Sequence, residues 1–386
     1  MMAPIRIAIV AGEASGDLLG SHLVTALRAR LPQAEFFGIA GPKMMASGVL
    51  SYFPMEKLST IGFHEVLKNI FSLLALRRNL KRKLIAWQPH VFIGVDAPDF
   101  NFNVERALRK RGITTVHFAS PSIWAWRGGR IHKIKRAVDH MLLLFPFEKP
   151  IYDKAGIPAT FVGHPLADTI PVESDCNAAR DQLKLSHDAT IVTLLPGSRR
   201  SELHMHADLF IQTAQRLHNQ LPQVMFLAPL ATKETRNLFE TAVYRNQAQE
   251  LPITILFGHA QEAMAAANCV LVKSGTATLE AALLKRPMVI TYRIPKMTYR
   301  LVRRRFYLPY FGMPNVLAGR FIVPEFMQDQ ATPENLAQAV RTWLEDKEAR
   351  DSLRAEFTRM HLELRQNTAQ LASQTVIDLL QARGVC

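Results

Sequence analysis

The apolar positions of this chain fall into short, nearly continuous runs separated by stretches with helical spacing. In the first half the runs are Ile5–Ala11, Glu35–Ile39, Val91–Val95, Thr114–Phe118 and Met141–Phe145, with amphipathic segments at Asp17–Arg30, His64–Ala86 and Phe100–Lys110. After a polar stretch at Val172–Ala178 the pattern restarts. Ile191–Leu195, Val224–Ala228, Ile253–Phe257, Cys269–Val272 and Met288–Thr291 read as strands; Ser201–Gln220, Lys233–Asn246, Ala277–Leu284 and Asn335–Leu344 read as helices. β-Branched apolar runs alternating with helices predict parallel sheets made of βαβ units. The expected fold is α/β: two Rossmann-like, doubly wound domains facing a cleft, over residues 1–168 and 169–346. Residues 347–386 lack strand signals and are expected to form a helical tail packing back on the first domain.

Composition narrows the class. Of 386 residues, 48% are hydrophobic and 21% charged, which excludes a disordered chain. No apolar run approaches the roughly 18 residues of a membrane span. The run Ile5–Val10 is too short for a secretory signal and leads into Gly12-Glu13-Ala14-Ser15-Gly16-Asp17 without a cleavage pattern. Three widely spaced cysteines, Cys176, Cys269 and Cys386, form no C-x-x-C pair, so a reducing cytoplasm is expected. The 47 Lys and Arg against 33 Asp and Glu give a net charge of +14, which calls for an anionic partner: nucleic acid, a membrane surface or a phosphorylated ligand.

In open parallel sheets ligands bind beyond the carboxyl ends of the strands, so the loops there carry the chemistry. The first such loop, Gly12–Asp17, is glycine-rich but has neither the dinucleotide-binding nor the P-loop spacing; Ser15 or Asp17 would serve as a helix cap. The third strand ends in Gly94-Val95-Asp96-Ala97-Pro98-Asp99. Asp99, just before a helix, reads as its N-cap, whereas Asp96 has no helix of its own to cap and is the candidate general base. Ser120–Arg130 holds two of the four tryptophans, Trp124 and Trp126, with Arg127 and Arg130, a set that can stack on a sugar or base and pair with phosphate.

In the second half, Pro196-Gly197-Ser198-Arg199 and Ser274-Gly275-Thr276 each follow a strand and open a helix, a good setting for a diphosphate. Glu280 shares a helix face with Thr276 and is placed either for a macrodipole contact or to accept from ribose hydroxyls. His204 and His206 read as surface or phosphate-facing residues. No Asp-x-Asp, H-E-x-x-H or G-x-S-x-G occurs.

One helix stands out. Val66, Ile70 and Leu74, among other large apolar residues, precede the basic cluster Arg77, Arg78, Lys81, Arg82 and Lys83. Such a helix suits an anionic membrane surface; it equally suits a sheet-covering helix with a charged end. A second basic run spans Lys296–Arg305. No nucleic-acid-binding module is recognised, and nucleic acid is not an expected partner.

Eight blocks in order carry a resemblance: Ala11–Asp17, Asp96–Phe100, Pro121–Arg127, Pro146–Glu148, Val162–Pro165, Leu195–Arg199, Ser274–Glu280 and Pro314–Arg320. Together they resemble the lipid-A-disaccharide synthase family, from residue 11 to about residue 320. That resemblance implies an inverting, metal-independent glycosyltransferase of the GT-B fold, without a cofactor. It would transfer 2,3-diacylglucosamine from the UDP donor to 2,3-diacylglucosamine 1-phosphate, yielding the β-1,6-linked disaccharide 1-phosphate and UDP. By the same resemblance Asp96 is the base and Arg199 stabilises the departing diphosphate. Ser198, Ser274, Gly275 and Thr276 line its cradle, Glu280 holds the ribose and Asn315 contacts the donor. Glu13, Ser15, Trp124 and Arg127 are expected in an acceptor loop, and the first and second domains are expected to bind acceptor and UDP-sugar respectively. A homodimer through exchanged C-terminal segments and peripheral attachment to the inner face of the cytoplasmic membrane follow from the same likeness. The peptidoglycan N-acetylglucosaminyltransferase and UDP-N-acetylglucosamine 2-epimerase families share a UDP site but lack the Pro121–Arg127 block.

Overall fold

The computed structural model describes residues 4–55, 58, 66–302 and 306–385. The chain forms two compact units, one of Met1–Asp168 with Leu364–Cys386 and the other of Thr169–Glu363.

The first unit is built on seven parallel strands: β1 (Arg6–Ala11), β2 (Glu35–Ile39), β3 (Leu50–Ser51), β4 (Val91–Val95), β5 (Thr114–Phe118), β6 (His140–Leu143) and β7 (Ala159–Phe161). Their order is β3-β2-β1-β4-β5-β6-β7. Ile7, Ile9, Phe92 and Ile93 are fully buried because helices cover both faces of the central strands. The helices Ala14–Arg30 and Val66–Trp87 contribute Leu23, Leu27, Leu80 and Leu84 to that core. The second unit repeats the plan with β8 (Thr190–Leu195), β9 (Val224–Leu230), β10 (Ile253–Phe257), β11 (Cys269–Lys273), β12 (Met288–Tyr292) and β13 (Glu325–Met327), in the order β10-β9-β8-β11-β12-β13.

The expected tail divides. Helix Lys347–Leu364 stays with the second unit almost to its end, whereas helix Thr368–Gln381 sends Ala372, Val376, Ile377 and Leu380 into the core of the first. Asp168 anchors the start of that last helix, its two carboxylate oxygens accepting the N–H groups of Asn367 and Thr368 at 2.9 and 2.7 Å. Strands β3, β7 and β13 escape the hydrophobic pattern. Each has only two or three residues and lies at a sheet edge, too short to show a periodicity.

Two caps differ from expectation. Glu13 precedes helix Ala14–Arg30 without a side-chain cap, as Ala97 precedes helix Pro98–Arg109. Asp17 is buried and caps a neighbour instead: its carboxylate accepts the N–H groups of Gly41, Lys43 and Met44 at 2.9–3.0 Å. Asp99 lies inside the first turn and forms a two-pronged pair with Arg130 at 2.8 and 2.9 Å.

In helix Val66–Trp87 the exposed Leu74 contrasts with the buried Leu80 and Leu84. Arg78 is exposed, and Arg77 donates to the carbonyl of Asp99 at 3.5 Å. The side chains of Val66 and Ile70, and residues Arg303–Arg305 of the second basic run, lie outside the described residues. No described helix is long and apolar enough to cross a membrane.

Candidate active site

Each sheet has one place where the strand order reverses, between β1 and β4 in the first unit and between β8 and β11 in the second. Crevices for ligands form beyond the carboxyl ends of strands at such reversals. The motif residues gather at both.

At the β1–β4 reversal the glycine loop meets the Asp96 turn. Asp96 and Ala97 both have left-handed backbones, φ 51° and 46°. This conformation costs a non-glycine residue about 1–2 kcal/mol, so the surroundings must hold it. Asn101 does so from beneath, its amide donating to the carbonyl of Asp96 at 2.8 Å. Gly12 permits the approach, because a Cβ there would stand 2.6 Å from the Cβ of Ala97. The half-buried Asp96 carboxylate makes no hydrogen bond among the described residues and is available to a substrate hydroxyl. Glu13 and Ser15 are exposed at the start of the adjoining helix.

Below Asn101 lies a fully buried pair, Glu105 Oε1 and His117 Nδ1, 2.6 Å apart. Burial raises the Glu105 carboxyl above its ordinary value; the charge and hydrogen bond of His117 oppose that rise. Gly94 is required here, since a Cβ would fall 2.1 Å from Glu105 Oε1.

Further along the same edge, Trp124 meets Phe147 edge-on at 5.2 Å, and Phe147 stacks on Phe145 at 5.6 Å. Trp124 is thus packed rather than presented as an open platform, while Arg127 lies over the Trp126 ring at 4.0 Å with its side chain exposed. Glu148 is buried behind them, and burial pushes its carboxyl up to about 8 despite hydrogen bonds from Phe145, Ser120, Leu144 and Trp124. Burial likewise brings His164 down to about 4.

At the β8–β11 reversal a cavity of about 390 Å³ opens between two helix starts, Arg200–Gln220 and Thr276–Leu283. Ser198, Arg199, Gly275, Thr276 and Glu280, all singled out in the sequence, line it together. Burial raises the carboxyl of Glu280. Ser274, expected in the same cradle, is not among the residues lining the cavity; its Oγ donates to the carbonyl of Phe311 at 3.4 Å.

Two charged lining residues were not singled out in the sequence, Glu202 and Lys273. Lys273 Nζ is 2.8 Å from Glu202 Oε1 and lies 5.2 Å from the Tyr292 ring centre. Burial would raise the Glu202 carboxyl, but the hydrogen bond and charge of Lys273 outweigh it and hold the group low, helped by the Ser198 and Arg199 N–H groups. Glu202 had a signal in the motif spacing, since it follows Arg199 by three residues and its carboxylate accepts the Arg199 N–H at 3.3 Å, the acidic half of a capping box; nothing in the spacing marked Lys273. His206, expected to be a surface or phosphate-facing residue, is buried, with Nδ1 2.8 Å from the carbonyl of Glu202 and Nε2 accepting the N–H of Arg293 at 3.0 Å.

Asn315 does not line this cavity. Fully buried, it donates to Val323 O and Glu325 Oε1 at 2.9 and 2.7 Å and accepts from the N–H groups of Ile322 and Val323 at 2.7 and 3.0 Å. With its amide so committed, its role is to set the loop with Glu325, which also accepts the N–H groups of Phe311 and Gly312, each at 2.8 Å.

A family model described as lipid-A-disaccharide synthetase matches residues 7–377. The chain belongs to the lipid-A-disaccharide synthase family. The enzyme of that name from Dechloromonas aromatica is 55% identical over 98% of this chain and 100% of its own. The one from Methylobacillus flagellatus is 54% identical over 97% and 99%. Among solved structures, UDP-N-acetylglucosamine 2-epimerase from Neisseria meningitidis, bound to UDP-GlcNAc, superposes with a TM-score of 0.63 at 12% identity, covering 98% of this chain and 100% of that one. The calicheamicin glycosyltransferase CalG4 gives 0.63 at 14% identity, covering 99% of each. These likenesses show the GT-B fold, and membership of the lipid-A-disaccharide synthase family makes the chain a glycosyltransferase of lipid A disaccharide formation.

Proposed function

We propose that the chain transfers 2,3-diacylglucosamine from its UDP derivative to the 6-hydroxyl of 2,3-diacylglucosamine 1-phosphate. The observation that carries this reading is the cavity at the β8–β11 reversal, where Arg199, two helix starts and Glu280 converge. Asp96 takes the acceptor proton as the oxygen attacks the anomeric carbon; the bond to UDP breaks and its electron pair leaves on the diphosphate. Arg199 and the N–H groups around Gly275 and Thr276 offset that charge, with Lys273 as a second cation. Ser198 and Ser274 complete the cradle, and Glu280 accepts from the ribose. Asn315 takes a positioning role in place of the donor contact that the resemblance implies. Glu13, Ser15 and Arg127 are proposed to meet the acceptor.

The exposed Leu74 beside Arg77 and Arg78 supports a second part of the proposal, peripheral contact with an anionic leaflet on the cytoplasmic side, where acylated substrates reside. A homodimer through C-terminal segments completes it and is checked by molar mass in solution.

Purified protein is expected to form disaccharide from the two substrates in the presence of EDTA. Binding of UDP without product would overturn the transfer reaction. Asp96→Ala is expected to abolish turnover with UDP affinity nearly intact, and retained turnover would remove Asp96 from the role of base.

A further inference from the structure

A second cavity in the Thr169–Glu363 unit, of about 270 Å³, opens away from the diphosphate loops. Three segments wall it: Ser174–Cys176, the Leu284–Arg286 turn, and Arg354 on helix Lys347–Leu364. The turn leads into the first residue of β12, so this cavity lies at the amino end of the strands, whereas Pro196–Arg199 and Ser274–Thr276 lie at the carboxyl end. The proposed transfer makes no use of it.

Its charges are unbalanced. Lys285, Arg286 and Arg354 line it against one carboxylate, Asp175, whose Oδ1 already accepts the N–H groups of Asn177 and Ala178 at 2.8 and 3.1 Å. Arg286 donates through one terminal nitrogen to Ala267 O at 3.3 Å, but its Nε is buried without a hydrogen-bond partner. Burial holds the Arg286 guanidinium below its ordinary value, and the charges of Arg354 and Arg180 act in the same direction, while the charge and a hydrogen bond of Cys176 oppose the fall. Arg180 is itself committed to Ala266 O at 3.1 Å, Asn268 Oδ1 at 2.9 Å and His187 O. Lys285 Nζ meets Leu283 O and His361 Nδ1, both at 2.5 Å. Neither Arg286 nor Arg354 is paired with a carboxylate among the described residues. Two guanidinium groups and an ammonium facing a single carboxylate leave an excess of positive charge that an anion would offset.

We propose that this cavity is an anion site for a phosphate-type oxyanion, with the guanidinium groups of Arg286 and Arg354 as its charged donors. Guanidinium groups present planar N–H pairs suited to tetrahedral oxyanions. Inorganic phosphate and the phosphate monoester of a sugar share that chemistry. Occupation would tie the Ser174–Cys176 segment, the Leu284–Arg286 turn and helix Lys347–Leu364 together, and so stabilise the second unit. This inference does not rest on the transfer reaction.

Cys176 lines the same cavity and reports on it, whereas Cys269 is buried. The experiment follows alkylation of Cys176 by iodoacetamide, resolved by peptide mass spectrometry, in the full-length protein. Inorganic phosphate is expected to slow the reaction severalfold and saturably, while chloride at matched ionic strength does not. Glucose 1-phosphate forms the second arm: protection by both anions assigns a site open to monoesters, protection by phosphate alone a site for the free ion. Arg354→Ala, at an exposed position, is expected to remove the protection without unfolding the protein. Arg286→Lys, which keeps the charge but loses the planar guanidinium, is expected to weaken it. Absence of protection by phosphate, equal slowing by chloride, or undiminished protection in Arg354→Ala would overturn the assignment.

Discussion

Lys273 Nζ lies 2.8 Å from Glu202 Oε1, and the other oxygen of that carboxylate accepts the N–H groups of Ser198 and Arg199 at 2.9 and 3.3 Å. A carboxylate therefore sits on the same backbone donors that a diphosphate would use, and the lysine neutralises it. Gly197 makes room for Glu202: it has φ 130°, and a Cβ there would approach Glu202 Cβ to 2.5 Å. A diphosphate entering the cavity must share these donors or displace Glu202, and Lys273 is placed to follow either anion.

Lys273→Met leaves the Glu202 charge uncompensated in the cavity. UDP affinity is expected to fall about tenfold, equivalent to about 1.4 kcal/mol. Adding Glu202→Gln to that variant is expected to restore most of the loss. Titration calorimetry with UDP on the two variants checks this; an unchanged affinity in Lys273→Met would remove the lysine from diphosphate binding.

Gly12→Ala tests the Asp96 turn without touching Asp96. The added methyl meets Ala97, whose left-handed backbone has little room to yield. Overpacking of this kind costs about 1–3 kcal/mol. Turnover is expected to fall by at least an order of magnitude, with UDP affinity unaltered because the donor cavity belongs to the other unit. Equal losses in turnover and UDP affinity would count against a local effect on the base.

Glu148 makes stability depend on pH. Its folded value of about 8 stands above the ordinary 4.5, so the native state holds the proton more tightly than the unfolded chain. The stabilisation is full below the unfolded value and is lost as pH rises through the folded one. Glu148→Gln cannot ionise, so its melting temperature should gain on that of the parent between about pH 4.5 and 8 and then level off. Thermal melts across this range decide it, and parallel curves for the two proteins would show that Glu148 ionises normally.

The exposed face of helix Val66–Trp87 is tested by Leu74→Ser combined with Arg77→Gln and Arg78→Gln. Sedimentation with anionic vesicles is expected to drop, and in the parent protein to weaken with added salt, as polybasic attraction does. Vesicle binding equal to that of the parent would assign this helix to covering the sheet alone.

The hydrophobic pattern by itself determined the two parallel sheets, because their central strands are apolar on both faces and alternate with helices of clear period. The motif residues that line the cavity at the β8–β11 reversal were also legible, since adjacent residues at a strand end and helix start stay together however the chain folds. Tertiary structure alone decided the rest. It put Asp17 on a neighbouring helix start, paired Asp99 with Arg130, and buried Asn315 as a brace for the Phe311–Gly312 loop. It also joined Lys273 to Glu202, residues 71 positions apart, and kept helix Lys347–Leu364 with the second unit almost to its end, although the whole tail was expected on the first. The reason is one of range. Periodicity and capping record what a residue meets within a few positions, whereas a carboxylate or amide takes whichever donor the folded chain brings to it from afar.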